Sequence, residues 1–197
     1  MEITTSEKKL WGICLIAAPL LFAISTFFWN DETYGVAAAT LIIFSMLFWI
    51  PAAAGFFSLL KDKMPGYASW GWLLIVYGSI SGVCFAFLGY LTTIFNISHS
   101  LYLETLSKYP VSSQLLLFAA GPLFPLSILI LSINLMRSKT IHLWIGICLC
   151  LGAIGFPLSR ITRTQWIAHV VDVLWLIPCV YIGLSFLKKK QIASLVR

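Results

Sequence analysis

Long apolar segments alternate with short polar segments along the whole chain. Runs with few or no charges cover about 10–29, 35–60, 67–96, 113–136, 140–159 and 165–187. A helix needs about 20 mostly apolar residues to cross a bilayer, whereas a transmembrane strand would alternate apolar with polar positions. The pattern therefore predicts an all-α integral membrane protein, a single polytopic domain over 1–197 built as a bundle of six transmembrane helices.

The connection between the third and fourth spans is long enough to hold structure of its own. Ser98 is a typical helix-capping residue, three leucines give a partly apolar face, and Pro110 ends the segment. The segment 98–109 is therefore predicted to form a short helix on the membrane surface. We interpret it either as a passive connector or as a lid over an opening at that side of the bundle.

The spans pair into three αα-hairpins with recurring features. Each odd span begins with tryptophan and glycine, as in "LWGIC" at Leu10. The second and third hairpins align at a constant offset, which matches Trp70 with Trp144 and Gly78 with Gly152. Two origins stay open: a repeated hairpin unit, which would give a pseudo-symmetric bundle, or the ordinary frequency of these residues in membrane helices.

Prolines and tryptophans inside the spans carry further predictions. Pro51, Pro125 and Pro178 fall near the middle of the even spans, where each removes a helical hydrogen bond and predicts a kink. Six of the eight tryptophans fall near predicted membrane interfaces, as in an aromatic belt. Trp49 and Trp175 lie deeper, where core packing is favoured over a place in a pocket wall.

Composition and charge agree with a lipid environment. The chain is 60% hydrophobic and 10% charged, whereas a soluble domain carries about 25% charged residues. The net charge of +6 indicates orientation and not a nucleic-acid partner, because ten basic residues fall on one side of the spans and three on the other. The positive-inside rule places both termini in the cytoplasm, and the expected location is a bacterial cytoplasmic membrane.

Cysteine and histidine content gives no indication of a cofactor. All five cysteines fall inside predicted spans, where they are expected to pack as small apolar residues. Cys148 and Cys150 point in different directions on a helix, and the three histidines are far apart, so no metal site is expected. A Gly-x-Ser-x-Gly elbow, a phosphate loop and a Cys-x-x-Cys motif are also absent from the sequence.

The remaining polar residues cluster in "SRITRTQWIAHVVDVLW", where the sixth span begins. Asp172 is the only acid within a predicted span, and an ionised acid there costs about 2.5–3.5 kcal/mol on insertion scales. We therefore expect it to face other helices and to have a partner. The candidate ligand-binding residues are Arg160, Arg163, Trp166, His169 and Asp172, with His99 from the connection before the fourth span.

Three interpretations of this cluster are open. In the first, Asp172 pairs with an arginine or with His169 and joins the fifth and sixth spans. The sequence slightly favours this structural role for Asp172. In the second, these groups line an outward-facing polar pocket for a small ligand. In the third, His169 and Asp172 perform acid–base chemistry on a lipid-like substrate.

For the whole chain we expect a membrane-embedded protein that binds or transports a small molecule, and not an enzyme. The lipid bilayer and that small molecule are its expected partners. The alternatives are a membrane enzyme that uses the His169–Asp172 pair and a structural or accessory subunit of a membrane complex.

Overall fold

The structure, a computed structural model, describes residues 3–29, 34–162 and 164–188 and is helical, with no strand in these ranges. The helices are α1 (Thr5–Thr26), α2 (Gly35–Leu60), α3 (Pro65–Ile94), α4 (His99–Ser107), α5 (Pro110–Ser113), α6 (Leu123–Arg137), α7 (Leu143–Thr162) and α8 (Gln165–Leu187). A π-helical segment, Gln114–Phe118, follows α5 directly.

Five of these helices, α1, α2, α3, α7 and α8, are long and apolar enough to cross a membrane. The segment Pro110–Phe118 and α6 meet the same criterion together, as a pair bent by 40° at a short break. The prediction of an all-α protein with membrane-spanning helices is therefore confirmed in helix content, length and apolarity.

The predicted fourth span departs most from a regular helix. The run 113–136 predicts one helix kinked at Pro125, whereas the chain forms the π-helical segment, a turn over 119–122 and then α6. Pro125 is the third residue of α6, where a backbone N–H has no helical acceptor in any case. It therefore belongs to the start of a helix and does not kink one, while Pro51 and Pro178 lie inside α2 and α8 as predicted.

Helix α4 lies where the sequence predicts a short helix. The hydroxyl of Ser98 caps it by accepting a hydrogen bond from the Leu101 backbone N–H at 3.4 Å. Pro110 does not simply end this segment, because it is also the first residue of α5.

The long helices pack side by side in a closed ring. The neighbouring pairs are α1–α2, α2–α3, α3–α6, α6–α7, α7–α8 and α8–α1. Lys63 Nζ, just after α2, donates a 2.7 Å hydrogen bond to the carbonyl of Ser138, just after α6. We call this side of the bundle the Lys63 end, and the opposite side, where α1, α3 and α7 finish, the α4 end.

An aromatic core fills the centre of the ring. It consists of one side chain from each of five helices: Phe22, Trp49, Phe124, Phe156 and Trp175. Trp175 contacts the other four, with ring centroids 6.3, 5.7, 5.7 and 5.1 Å from Phe22, Trp49, Phe124 and Phe156. Trp49 and Trp175 are fully buried, which agrees with the core packing expected for them.

Two glycines allow neighbouring helices to approach closely. A Cβ at Gly152 would lie 2.5 Å from Trp175 Cδ1, and a Cβ at Gly78 would lie 2.5 Å from the backbone nitrogen of Phe124. Small residues at such contacts matter in lipid, where association depends on packing more than on the hydrophobic effect. These are the two glycines that the hairpin alignment matches, and each lies where one helix meets the next in the ring.

We expect Gly78→Ala to destabilise the bundle by about 1–3 kcal/mol, because the new methyl group overlaps the backbone of α6. Gly66→Ala, at the start of the same helix, is the matched control, since a Cβ there meets nothing within 4 Å. Thermal unfolding of the two purified variants in detergent measures the difference. Equal melting temperatures for both variants would contradict the close α3–α6 contact.

Candidate ligand-binding site

Asp172 joins α8 to α1. Its side chain is buried, at 3% exposure, and its Oδ2 accepts a 2.7 Å hydrogen bond from Thr26 Oγ1, at the end of α1. Its Oδ1 accepts no hydrogen bond from the residues that the structure describes. The sequence predicts an arginine or His169 as the partner, whereas the donor is a threonine, and the helix that the acid binds is α1 instead of α7.

Arg160 and His169 lie around this carboxylate without being its hydrogen-bond donors in the described contacts. Both are close enough to Asp172 to act on it electrostatically. The His169 ring packs against the Phe27 ring, with centroids 4.5 Å apart. The face of α8 that carries His169 and Asp172 is therefore engaged mainly with α1 and the residues just after it.

The guanidinium of Arg160 lies within an aromatic cage formed by Phe22, Trp29 and Phe156. Its Cζ is 4.1 Å from the ring centroid of Trp29, 4.6 Å from that of Phe22 and 4.9 Å from that of Phe156. Such cation–π contacts contribute about 0.5–2 kcal/mol each, the larger values in desolvated positions. Because Phe22 and Phe156 also belong to the aromatic core, the cation is positioned by the centre of the bundle.

A cavity of about 350 Å³ lies beside Arg160 and extends toward the aromatic core. Its wall comes from five long helices, from α4 and from the break before α6. The lining residues are Phe22, Tyr34, Ile42, Met46, Gly78, Gly82, Phe85, Leu88, Gly89, Thr92, Tyr102, Phe118, Gly121, Pro122, Phe124, Pro125, Phe156, Pro157, Arg160 and Ile161.

The polar groups of the cavity are confined to one side of it. They all lie at the α4 end, because Tyr34 directly precedes α2, Tyr102 lies in α4, and Thr92 and Arg160 lie near the ends of α3 and α7. The deep wall, which reaches Gly78, is apolar. Thr92 and Gly78 are about 21 Å apart along α3, at 1.5 Å per residue. The cavity is therefore long and amphipathic, with its polar groups at the α4 end.

The six candidate residues from the sequence fall in different places. Arg160 lines the cavity, whereas His169 and Asp172 do not. Trp166 is 68% exposed and lies on the outer surface of α8. Arg163 and the side chain of His99 lie outside the described residues. Among the candidates whose side chains are described, Arg160 is therefore the only one that lines the cavity.

Sequence reasoning missed most of the cavity wall. The missed polar residues are Tyr34, Thr92 and Tyr102, which lie just before α2, in α3 and in α4. One signal was present in α3, where Gly78, Gly82 and Gly89 recur at spacings of four and seven and so share one helical face. All three glycines line the cavity, and a Cβ at Gly78 or Gly82 would lie less than 3.0 Å from Phe124 or Met46.

The chemistry of the site is that of an arginine, two tyrosines and a threonine. Among the described residues, no group of three or more His, Cys, Asp or Glu side chains is placed to hold a metal ion. All five cysteines are free thiols.

Comparison with known proteins identifies no relative of the chain. No family model, no curated protein and no solved structure matches it.

We expect Thr26→Val to destabilise the protein by about 1–3 kcal/mol, because Asp172 loses its donor in a buried position. Thr26→Ser keeps the hydroxyl and is the matched control, with nearly native stability. Thermal unfolding in detergent, repeated in an Asp172→Asn background, completes a double-mutant cycle. Strictly additive losses in that cycle would contradict a direct interaction between the two side chains.

Proposed function

We propose that the chain is a membrane protein that binds or transports a small, largely apolar molecule in the cavity beside Arg160. The observation that carries this proposal is the cavity itself. Its volume of about 350 Å³ falls in the range of small-molecule sites, which are mostly apolar with a few placed polar groups. Voids larger than a water molecule are few in well-packed proteins, so an amphipathic space of this size favours a ligand-binding role.

In this proposal the chain crosses the membrane six times, and α5, the π-helical segment and α6 form one broken span. Broken spans line the substrate sites of many transporters, where irregular backbone faces a cavity and not lipid. Here Phe118, Gly121 and Pro122, at the break, line the cavity. Gly78 and Gly152 each lie at a close contact between an odd span and the even span that follows it, which supports the three-hairpin repeat.

The Lys63 end faces the cytoplasm in this proposal. Lys8, Lys61, Lys63 and Arg137 lie there, close to the ends of their helices, and short cytoplasmic loops carry such an excess of basic residues. The cavity then opens on the outer side of a bacterial cytoplasmic membrane, below α4. Tyr102 of α4 lines the cavity, which supports the interpretation of α4 as its cover.

The two alternative functions have less support. A membrane enzyme that uses His169 and Asp172 needs both groups against its substrate, but neither lines the cavity. An accessory subunit requires no internal cavity, so that role does not account for the cavity beside Arg160.

We expect the protein in lipid nanodiscs to bind tritiated dodecanol saturably, as measured by scintillation proximity against empty nanodiscs. Met46→Trp should weaken this binding about tenfold or more, because an indole inserted into the cavity clashes with the ligand at a cost of about 1–3 kcal/mol. Met46→Leu, which roughly conserves volume, is the matched control and should bind as the native protein does. Identical uptake by all three proteins and by empty nanodiscs would contradict a ligand cavity.

Orientation is tested with two exposed positions in a cysteine-free background. We expect Ser100→Cys, in α4, to react with a membrane-impermeant maleimide added to intact cells. Asp62→Cys, between α2 and α3, should react only after the membrane is opened, because the positive-inside rule places it in the cytoplasm. The reverse pattern would show that the bundle is inserted the other way round.

A further inference from the structure

We infer that the ligand is a membrane lipid whose alkyl chain enters the cavity sideways from the bilayer, between the turn over 119–122 and the last turn of α7. The inference rests on the proposed function, because it names the class of molecule that the cavity takes and the side from which that molecule arrives. It is carried by the exposure of the cavity wall, by the hydrogen bonds that hold the π-helical segment and by the apolar rim of the opening.

The exposed part of the cavity wall lies on one side. Among the lining residues, Phe118, Pro122 and Ile161 are the exposed ones, and Ile161 is 82% exposed. Across the ring, Ile42 and Met46 of α2 line the same space and are buried, at 4% and 2% exposure. The cavity therefore reaches the surface of the bundle where the π-helical segment and the turn after it face α7.

The two sides of this opening lie at the same level of the bundle. Helices α6 and α7 run antiparallel, since Gly146 lies against Met136 near one end of the pair and the rings of Phe124 and Phe156 are 6.0 Å apart near the other. Ile161 lies about 7.5 Å beyond Phe156 along α7. Because α6 begins just before Phe124, α7 faces the turn and not a helix from that level to the α4 end.

The π-helical segment is held against α3. The hydroxyl of Tyr77 donates a 2.6 Å hydrogen bond to the carbonyl of Leu115, and that of Ser81 donates a 3.3 Å hydrogen bond to the carbonyl of Leu117. The segment Pro110–Phe118 is bent by 40° from α6. Its main neighbours are α3 and α4, through α5, whereas those of α7 are α6 and α8. The opening beside α7 is therefore part of the hydrogen-bonded fold.

The rim of the opening is apolar and lies within the span of α7. Its exposed residues are Phe118, Pro122 and Ile161, and Leu158, nearly one turn before Ile161, also has an exposed apolar side chain. Ile161 is about 27 Å along α7 from Leu143, which is within the roughly 30 Å of the hydrocarbon core. In the proposed arrangement the rim faces acyl chains close to the level of the head groups, so a molecule that passes it comes from lipid.

The size of the cavity admits one chain. At about 30 Å³ for each non-hydrogen atom, a volume similar to that of a liquid water molecule, a cavity of about 350 Å³ holds roughly a dozen such atoms. The wall toward the aromatic core is apolar. An alkyl chain therefore fills the space while its head group stays at the membrane surface, whereas a whole two-chain lipid is too large.

The first test uses the full chain in nanodiscs that contain a phosphatidylcholine with a diazirine at the end of one acyl chain. After irradiation we expect carbene adducts on Ile42 and Met46, located by mass spectrometry of peptides. Both side chains line the cavity but are buried, so a lipid chain reaches them only from inside it. A phosphatidylcholine with the diazirine in its head group is the matched probe and should label neither residue.

Filling the cavity should remove this labelling. Met46→Trp should lower the adduct yield on Ile42 about tenfold or more, because an indole in the space clashes with the chain. Met46→Leu is the matched control and should keep the native yield.

A second experiment blocks the opening. In the cysteine-free background, Ile161→Cys and Leu151→Cys are each labelled with pyrene maleimide in nanodiscs. The adduct at 161 should slow both association and dissociation of tritiated dodecanol about tenfold or more, because a blocked path raises the same barrier in both directions. Leu151 is an exposed residue of α7 that does not line the cavity, so the adduct there should leave both rates at their native values.

The outcomes distinguish the inference from the proposed function on which it rests. Saturable dodecanol binding without adducts on Ile42 and Met46, or with native rates when position 161 is blocked, overturns the sideways route and leaves the cavity as a binding site. Failure of Ile161→Cys to react with the maleimide while Leu151→Cys reacts would show that another chain covers the opening, and also overturns the inference. The absence of both saturable dodecanol binding and adducts overturns the proposed function as well.

Discussion

Trp175 is the residue on which the arrangement of the bundle depends. It is fully buried, its ring contacts an aromatic side chain from each of four other helices, and its Nε1 donates a 3.3 Å hydrogen bond to the carbonyl of Leu149. Gly152 provides the space for the indole on α7. In lipid, where apolar surfaces gain little by leaving the solvent, a contact of this kind determines which helices are neighbours.

The same contact positions the charge of the candidate site. Phe156 stacks on Trp175 with an interplanar angle of 23° and also contacts the guanidinium of Arg160. Phe22 also contacts both, with its ring at 64° to that of Trp175. A cation within a membrane protein is costly unless it is held among suitable groups, and here two of those groups, Phe22 and Phe156, belong to the aromatic core. Phe22 and Phe156 therefore both pack the bundle and hold Arg160 beside the cavity, so a substitution of either changes the packing and the surroundings of Arg160 together.

The sequence predicts those features that a segment determines by itself. The lengths of the apolar runs place the long helices, Ser98 predicts the start of α4, and the depth of Trp49 and Trp175 in their spans predicts their burial. The helical period also predicts that Asp172 faces other helices. It does not identify the neighbouring helix, and so Thr26, far away in the chain, was not predicted as the partner. The break over 119–122 was missed because one proline near the middle of a span is more simply read as a kink.

The cavity escaped prediction for a different reason. A pocket made by charged side chains can be recognised from polar residues in the sequence, and that search led to Arg160, which lines the cavity, and to His169 and Trp166, which do not. Most of the wall is made of common apolar residues, together with glycines on one face of α3. Glycine in a membrane helix indicates either a close contact or an open space, and a Cβ at Gly78 or Gly82 would lie less than 3.0 Å from Phe124 or Met46.

The bond between Thr26 and Asp172 has a consequence for biosynthesis. Its two residues are 146 positions apart, so at about 5–20 residues per second the ribosome needs roughly 7–30 s to make the second after the first. During that time α1 and α2 already lie in the membrane without α8, and the ring stays open on one side. Helix α8 carries both Trp175 and Asp172, so the nascent chain acquires the central packing of the ring and this polar contact in one step, after the other long helices of the ring have been made.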